Sequence, residues 1–364
     1  QNTTSTGRPY DIYGPVTGNN NLIGSYIGLS GIADDVDGNQ VGGYPIPLDP
    51  MIAPLALNGG TTRSHAILTA STARDAGDNA LAVDSLGTPL MADQRGAVRT
   101  IDGTVDIGAY EINPYVVSTT LDELDTDYSD GDLSLREAVL LASQDPSADS
   151  VAFAPGMVGQ TIALAGTEIL LDSDINIQGL GADQLMVDAS GLSRVFNIAD
   201  GTTVSISGIT LSGGANVTYG GAIYARGVID LTIEDSELVG NSAAHGGAVA
   251  GSRGVAITLT NTTIADNSAT YAGGIAVYYD SSLDAVNSTI SGNTTTSTGG
   301  GLYALNSTAD LTNVTIADNV ASGGSGITVG GTSTVTLNNT IVANNSRPSG
   351  SPYDISGSVS GESN

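Results

Sequence analysis

Apolar and polar residues alternate in short runs through the second half of the chain, as in Leu231-x-Ile233 and Ile257-x-Leu259. A period of two predicts strands rather than helices. The runs also recur at a fixed step. Leu238, Ile264, Ile290, Ile316 and Val342 stand 26 residues apart, and Ile233, Leu259, Ala285, Leu311 and Leu337 keep the same step. Asn241, Asn267, Asn293, Asn319 and Asn345 form a polar column at that spacing, and Asp235, Asn261, Asn287, Asn313 and Asn339 form a second. Glycine pairs at 220–221, 246–247, 273–274 and 299–300 lie between the columns. A 26-residue unit of short strands and glycine-rich turns fits one coil of a parallel β-helix. Coils stack about 4.8 Å apart, so the apolar columns become interior stacks. The column from Asn241 to Asn345 predicts a structural ladder, each side-chain amide bonding the next coil's, because buried polar groups at a turn must be paired.

The pattern changes at Ser134-Leu135-Arg136-Glu137, where Ser134 can cap a helix and Glu137 stands at the third helical position before Ala138-Val139-Leu140-Leu141. A short amphipathic helix here would cover the exposed edge of the first coil. The fold class expected is all-β: a parallel β-helix of ~26-residue coils with a short N-terminal capping helix and a small β-rich spacer or cap module. The segments expected are 1–48 as closing coils of a preceding β-helix, 49–112 as the spacer module, and 113–150 as linker, acidic loop and capping helix. The β-helix follows at 151–345, and 346–364 reads as the start of a further repeat.

That last reading rests on a longer repeat. Residues 1–21 laid on 344–364, at an offset of 343, are identical at ten positions. The core of the match is Pro9-Tyr10-Asp11-Ile12-x-Gly14 against Pro352-Tyr353-Asp354-Ile355-x-Gly357. Two arrangements account for it: one period cut from a covalent tandem array, or a chain whose two ends make equivalent contacts in a head-to-tail polymer. Both are open and translational. Pro9, Tyr10, Asp11, Ile12, Pro352, Tyr353, Asp354 and Ile355 are therefore the residues expected at the joint.

Several motifs resemble a known family. Asp49-Pro50-x3-Pro54-Leu55-x2-Asn58-Gly59-Gly60, Thr62-x2-His65-Ala66 and Ala73-x-Asp75-Ala76-Gly77 are followed by Asp93-Gln94-Arg95-Gly96-x2-Arg99 and Asp106-Ile107-Gly108-Ala109-Tyr110-Glu111. In this order they resemble bacterial choice-of-anchor Q surface proteins. Leu133-Ser134-Leu135-Arg136-Glu137-Ala138 is similar to the CSLREA motif that opens many such β-helix proteins, with Leu133 in place of the family's Cys. That departure removes a thiol role and suggests apolar packing. The resemblance implies a large, secreted, right-handed β-helix protein at the cell surface and no defined reaction.

Charge narrows the partners. The formal net charge is −28, with 38 acidic residues against ten basic ones, all of them Arg. Phosphate repels such a chain, which argues against nucleic acid, and anionic membrane surfaces are disfavoured too. No apolar run approaches the length of a membrane span, and without Cys there is no disulfide or thiolate site. Lys-free acidity also matches a surface adapted to high salt. The acid-rich stretch Asp122, Asp125, Asp127, Asp130 and Asp132 is a candidate Ca²⁺ site, since carboxylates around Gly131 offer hard oxygen ligands; a solvated loop is the alternative. Asp34, Asp35, Asp37 and Asn39 form a weaker one. His65 reads as a hydrogen-bonded structural residue. Tyr271, Tyr278, Tyr279 and Tyr303 read as a coil-to-coil stack, or else as a platform for sugars.

The expected function is a structural repeat unit of an extracellular fibre, stalk or giant cell-surface protein, joined head-to-tail to copies of itself, with no catalytic residue. The alternatives are an adhesin for glycans or a partner cell, and a β-helix polysaccharide lyase or hydrolase. The last needs clustered carboxylates, or an Arg or Lys base beside calcium; no acids are paired at coil spacing with a nearby Arg.

Overall fold

The computed structural model describes residues 11–58, 61–68, 71–96, 99–100, 103–112, 115–125, 132–144 and 149–361. The chain forms two compact units, Gln1–Pro114 and Tyr115–Asn364.

The second unit is a three-faced parallel β-helix. Face one holds eight strands, from Gln160–Ala163 to Ile341–Ala343; face two holds eight, from Ile169–Leu171 to Ile355–Ser356; face three holds nine, from Tyr115–Val117 to Thr334–Asn338. Each strand pairs in parallel with the equivalent strand one coil on. The apolar columns lie in register, Leu238↔Ile264↔Ile290↔Ile316↔Val342 on face one and Ile233↔Leu259↔Ala285↔Leu311↔Leu337 on face three. Of these ten side chains only Val342, on the last coil, is not fully buried. Each Leu or Ile so enclosed contributes about 1.5–3 kcal/mol relative to exposure, and repetition multiplies the term.

The ladder of strands runs past 151–345 at both ends. Tyr115–Val117 pairs with Val151–Phe153, so a face-three strand precedes the helix. Its signal, two inward residues around one half-buried one, is too short to read as a period. At the far end Ile355–Ser356 extends face two, and Ser360 bridges Thr336 on face three. The capping helix α1 spans Leu135–Ala142, with the expected reciprocal bonds: Ser134 Oγ accepts from Glu137 N at 3.1 Å, and Glu137 Oε2 accepts from Ser134 N at 3.1 Å. It packs on the first strands of faces two and three. Leu133 is buried, as expected for an apolar residue in place of Cys.

The glycine pairs need one correction. The left-handed position of each coil is held by Gly220, Gly246, Ala272, Gly299 and Gly324, with φ of +57°, +65°, +58°, +72° and +54°. The third coil thus places Ala272-Gly273, not Gly273-Gly274, in this register. The following position is glycine on four coils and Ser325 on the fifth; a Cβ on Gly247 would lie 2.1 Å from the carbonyl oxygen of Gly273 in the next coil. The second polar column is also different in kind from the first. Asp235, Asn261, Asn287, Asn313 and Asn339 all have φ between +47° and +56° and turn the chain between faces three and one.

In the first unit, Gly14–Pro15 pairs in parallel with Leu29–Ser30, and Leu22–Ile23 with Gln40–Val41. In place of the β-rich module expected at 49–112, the described residues there hold isolated antiparallel bridges such as Ile52↔Ile67 and Val83↔Pro89. Ile67, Ala73 and Ile112 form a small core. Around it the family-like motifs build a buried charge network. Arg95 Nη2 meets Asp93 Oδ2 at 2.7 Å, Arg99 Nη1 stands 3.4 Å from Glu111 Oε2, and Asp106 accepts the backbone N–H of Asp75 and Ile112 at 2.8 and 2.6 Å. Burial raises the Asp106 carboxyl above its usual range, against these two hydrogen bonds. His65 Nδ1 lies 2.7 Å from the Ala53 carbonyl oxygen, a structural hydrogen bond.

Candidate functional site

The Asn column is a buried ladder. Asn241 donates its backbone N–H and its Nδ2 amide to Oδ1 of Asn267 at 2.9 and 3.0 Å, and Asn267, Asn293 and Asn319 repeat this toward the next Asn at 2.9–3.1 Å. The same Nδ2 groups also reach a carbonyl of the preceding coil, as from Asn293 to Ile264 O at 2.9 Å. Every amide is thereby satisfied at full burial, where an orphan would cost about 1–3 kcal/mol.

The ladder closes on the recurring motif. Asn345 donates its N–H and Nδ2 to Oδ1 of Asp354 at 3.0 and 2.9 Å, the geometry of every rung before it. The first unit contains a matching rung: Asn21 donates N–H and Nδ2 to Oδ1 of Asn39 at 3.1 and 2.7 Å. Asn39 is thus a ladder residue, and Asp34 Oδ1 accepts the N–H of Val41. The two motif copies share backbone as well as sequence, with φ of +117° at Gly14 and +102° at Gly357, and +155° at Gly18 and +138° at Gly361. Their strands fall at different motif positions: Ile355–Ser356 pairs with an earlier strand, Ile327–Thr328, and Gly14–Pro15, which matches Gly357–Ser358, with a later one, Leu29–Ser30. Asp11 Oδ2 is buried without a hydrogen-bond partner among the described residues. Ile12 is half-buried; Pro9 and Tyr10 lie outside the described residues. Arg347 stands over the Tyr353 ring, 4.2 Å from its centroid, and Pro352 bridges Ser346.

The acidic stretch is divided. Asp122 is held by Arg136 through a bidentate pair at 2.6 and 2.9 Å and accepts the N–H of Ala165 at 2.7 Å, with its side chain 2 % exposed. Arg136 also donates to the carbonyls of Thr167 and Glu168. Asp122 is therefore a clasp between the acidic loop, α1 and a coil, both of its oxygens met by one guanidinium in a plane. Asp127 and Asp130 lie outside the described residues. Burial raises the Glu123 carboxyl, and the charges of Asp125, Asp132 and Glu137 add to this. Among the described residues, no group of three or more His, Asp or Glu is arranged to hold a metal ion.

A second feature is an aromatic groove on the outer side of face two, about 470 Å³ in volume. Its floor follows from register. Tyr224, Ala250, Ala276 and Tyr303 are outward neighbours on successive coils, so two small residues sit between two large ones. Tyr278 lies over this floor, 5 % exposed, edge-on to Tyr303 at 5.6 Å. One wall is a short extra sheet of Ser242–His245, Ser268–Tyr271 and Thr294–Thr295. Along it Tyr219, His245 and Tyr271 stack from coil to coil, with centroids 5.0 Å apart at both steps. The coil-to-coil reading of the Tyr cluster therefore holds for Tyr271, with His245 as its partner. Tyr278 Oη lies 3.3 Å from His245 Nδ1. Burial raises the Tyr278 phenol and lowers the His245 imidazole relative to their ordinary values. Arg226, Arg253 and Tyr279 form the other rim. The step of 26 from Tyr219 to His245 to Tyr271 was available in the sequence and is the signal that finds this wall.

No helix among the described residues is long and apolar enough to cross a membrane. No curated protein and no solved structure matches the chain. Residues 194–361 match the family model described as a right handed beta helix region. With the three-faced parallel coil stack around them, these residues give the protein a right-handed β-helix region.

Proposed function

We propose that the protein is a structural repeat of an extracellular fibre, stalk or giant surface protein, continued head-to-tail by copies of itself. The observation that carries this is the closure of the Asn ladder on Asp354, within the motif that recurs at Asp11. On this reading the ladder that ends at Asp354 in one period resumes in the next at the rung of Asn21 and Asn39. The likeness of 49–112 and 133–138 to choice-of-anchor Q and CSLREA proteins supports a surface location. A catalytic reading finds less support: Tyr, His, Arg, Ser and Leu line the aromatic groove, and the carboxylate pair that glycoside hydrolysis uses is not among them.

The denatured mass of the native polypeptide tests the proposal. A band far above 36.4 kDa is expected for a covalent array. A band near that mass is expected to come with end-on association in sedimentation, abolished by Asp354→Ala. A band near that mass that stays monomeric at high concentration would overturn the proposal.

A further inference from the structure

We propose that the aromatic groove of face two is a binding site for an anionic saccharide, a role independent of the head-to-tail reading. Three observations converge on it. The first is charge. In a chain of net charge −28 with ten basic residues, Arg226 and Arg253 both stand on this rim, and no carboxylate lines the groove. Both residues are exposed, and neither guanidinium makes an ion pair or hydrogen bond among the described residues. The other interior-facing or clasping arginines, such as Arg95, Arg136 and Arg194, are paired with carboxylates. Two free planar cations suit a carboxylate or sulfate, which each can grip through two N–H groups.

The second is chemistry. Tyrosine supplies most of the lining, so rings lie beside phenol hydroxyls at several points. A sugar presents the same combination in reverse, C–H faces beside hydroxyls. Partly positive C–H groups meet the negative ring faces, and each phenol can donate to or accept from a hydroxyl. Tyr271 and Tyr279, at 39 % and 48 % exposed, offer open surface for this. The volume of about 470 Å³ lies within the range of small-ligand sites.

The third is backbone strain. On five successive coils the turn after face two takes a left-handed residue: Gly227, Arg253, Tyr279, Asn306 and Gly331 have φ of +124°, +71°, +49°, +52° and +62°. Glycine and asparagine meet this at little cost. The two coils that depart from them place Arg and Tyr there, and both side chains line the groove. Strained residues of this kind collect at ligand sites.

The strain supplies a test that separates binding from folding. Arg253→Gly and Tyr279→Asn install residues that the same turn uses on neighbouring coils, so the melting temperature should hold or rise. Calorimetric titration of the full chain with a uronate oligosaccharide, a sulfated oligosaccharide and a neutral oligosaccharide, with inorganic sulfate as control, reads the binding. Saturable binding of at least one anionic sugar is expected, above the neutral sugar and sulfate alone, and each variant should weaken it about tenfold or more. Which anionic sugar binds distinguishes carboxylate from sulfate recognition. Binding of the neutral sugar at equal strength, no saturable binding of any sugar, or anionic binding that both variants leave intact would overturn the proposal.

Discussion

The coils from 231 to 345 and the module at 49–112 stabilise their folds by opposite means. In the coils, backbone pairing and apolar contact repeat every 26 residues, and the buried polar groups repeat with them: the Asn ladder is satisfied by its own copies, and buried Ser236, Thr262, Ser288 and Thr340 bond backbone of their own and neighbouring coils. In the module, pairing is reduced to isolated bridges, the apolar core is small, and Asp93, Arg99, Asp106 and Glu111 are buried charges, with Arg95 half-buried beside them. Repetition lets each coil borrow stability from its neighbours. A non-repeating module has no neighbour to borrow from and depends on partners that each occur once.

The largest expected effect breaks the module alone. Glu111→Gln leaves the Arg99 guanidinium without its buried counter-charge, which costs about 3–5 kcal/mol. Limited proteolysis should then open 49–112 while the β-sheet circular dichroism of the coils persists. Next comes the ladder. Asn293→Ala strips the acceptor from both the N–H and the Nδ2 of Asn267 and should cost about 2–4 kcal/mol. Asn339→Gly, in the exposed left-handed column, should stay within about 0.5 kcal/mol. Equal losses at the two Asn positions, measured by denaturant unfolding, would erase the distinction between ladder and turn.

Smaller effects sharpen the picture. Ser134→Ala removes the capping-box acceptor of α1 and should cost about 1–2 kcal/mol. The groove should titrate at both ends of the pH scale. His245 is held below its ordinary value of 6.5 by burial, so its share of stability is full above that pH and falls as pH drops through it. Tyr278 is raised above 10 by burial, so its share is full below that pH and falls as pH rises past it. Thermal melts of Tyr278→Phe should weaken the alkaline arm, leaving the share of Tyr224 and Tyr303, which burial also raises, and keep the acid one.

How much was legible in the sequence follows from the same contrast. A column repeated five times at one step declares its environment, so the ladder, the interior stacks and the capping box were readable. What occurs once was not. Asp354 closes the ladder only nine residues after Asn345, off the 26-residue step, because it lies in the same coil's turn into face two. Asn39 read as a calcium ligand because its rung with Asn21 spans 18 residues. Asp122 read as a metal ligand because a carboxylate's partner, here Arg136 on a helix, cannot be inferred from acidic spacing alone. The groove fell between these cases: its wall obeys the coil period, but mixes Tyr and His, so no single residue type marks it.

Hydrogen exchange on a two-period chain, residues 1–343 followed directly by 1–364, tests the central claim most directly. Continuation of the ladder predicts that amides of residues 11–41 in the second copy are protected as strongly as those of coils 231–345 in the first. Rapid exchange across that joint, beside well-protected coils, would contradict it.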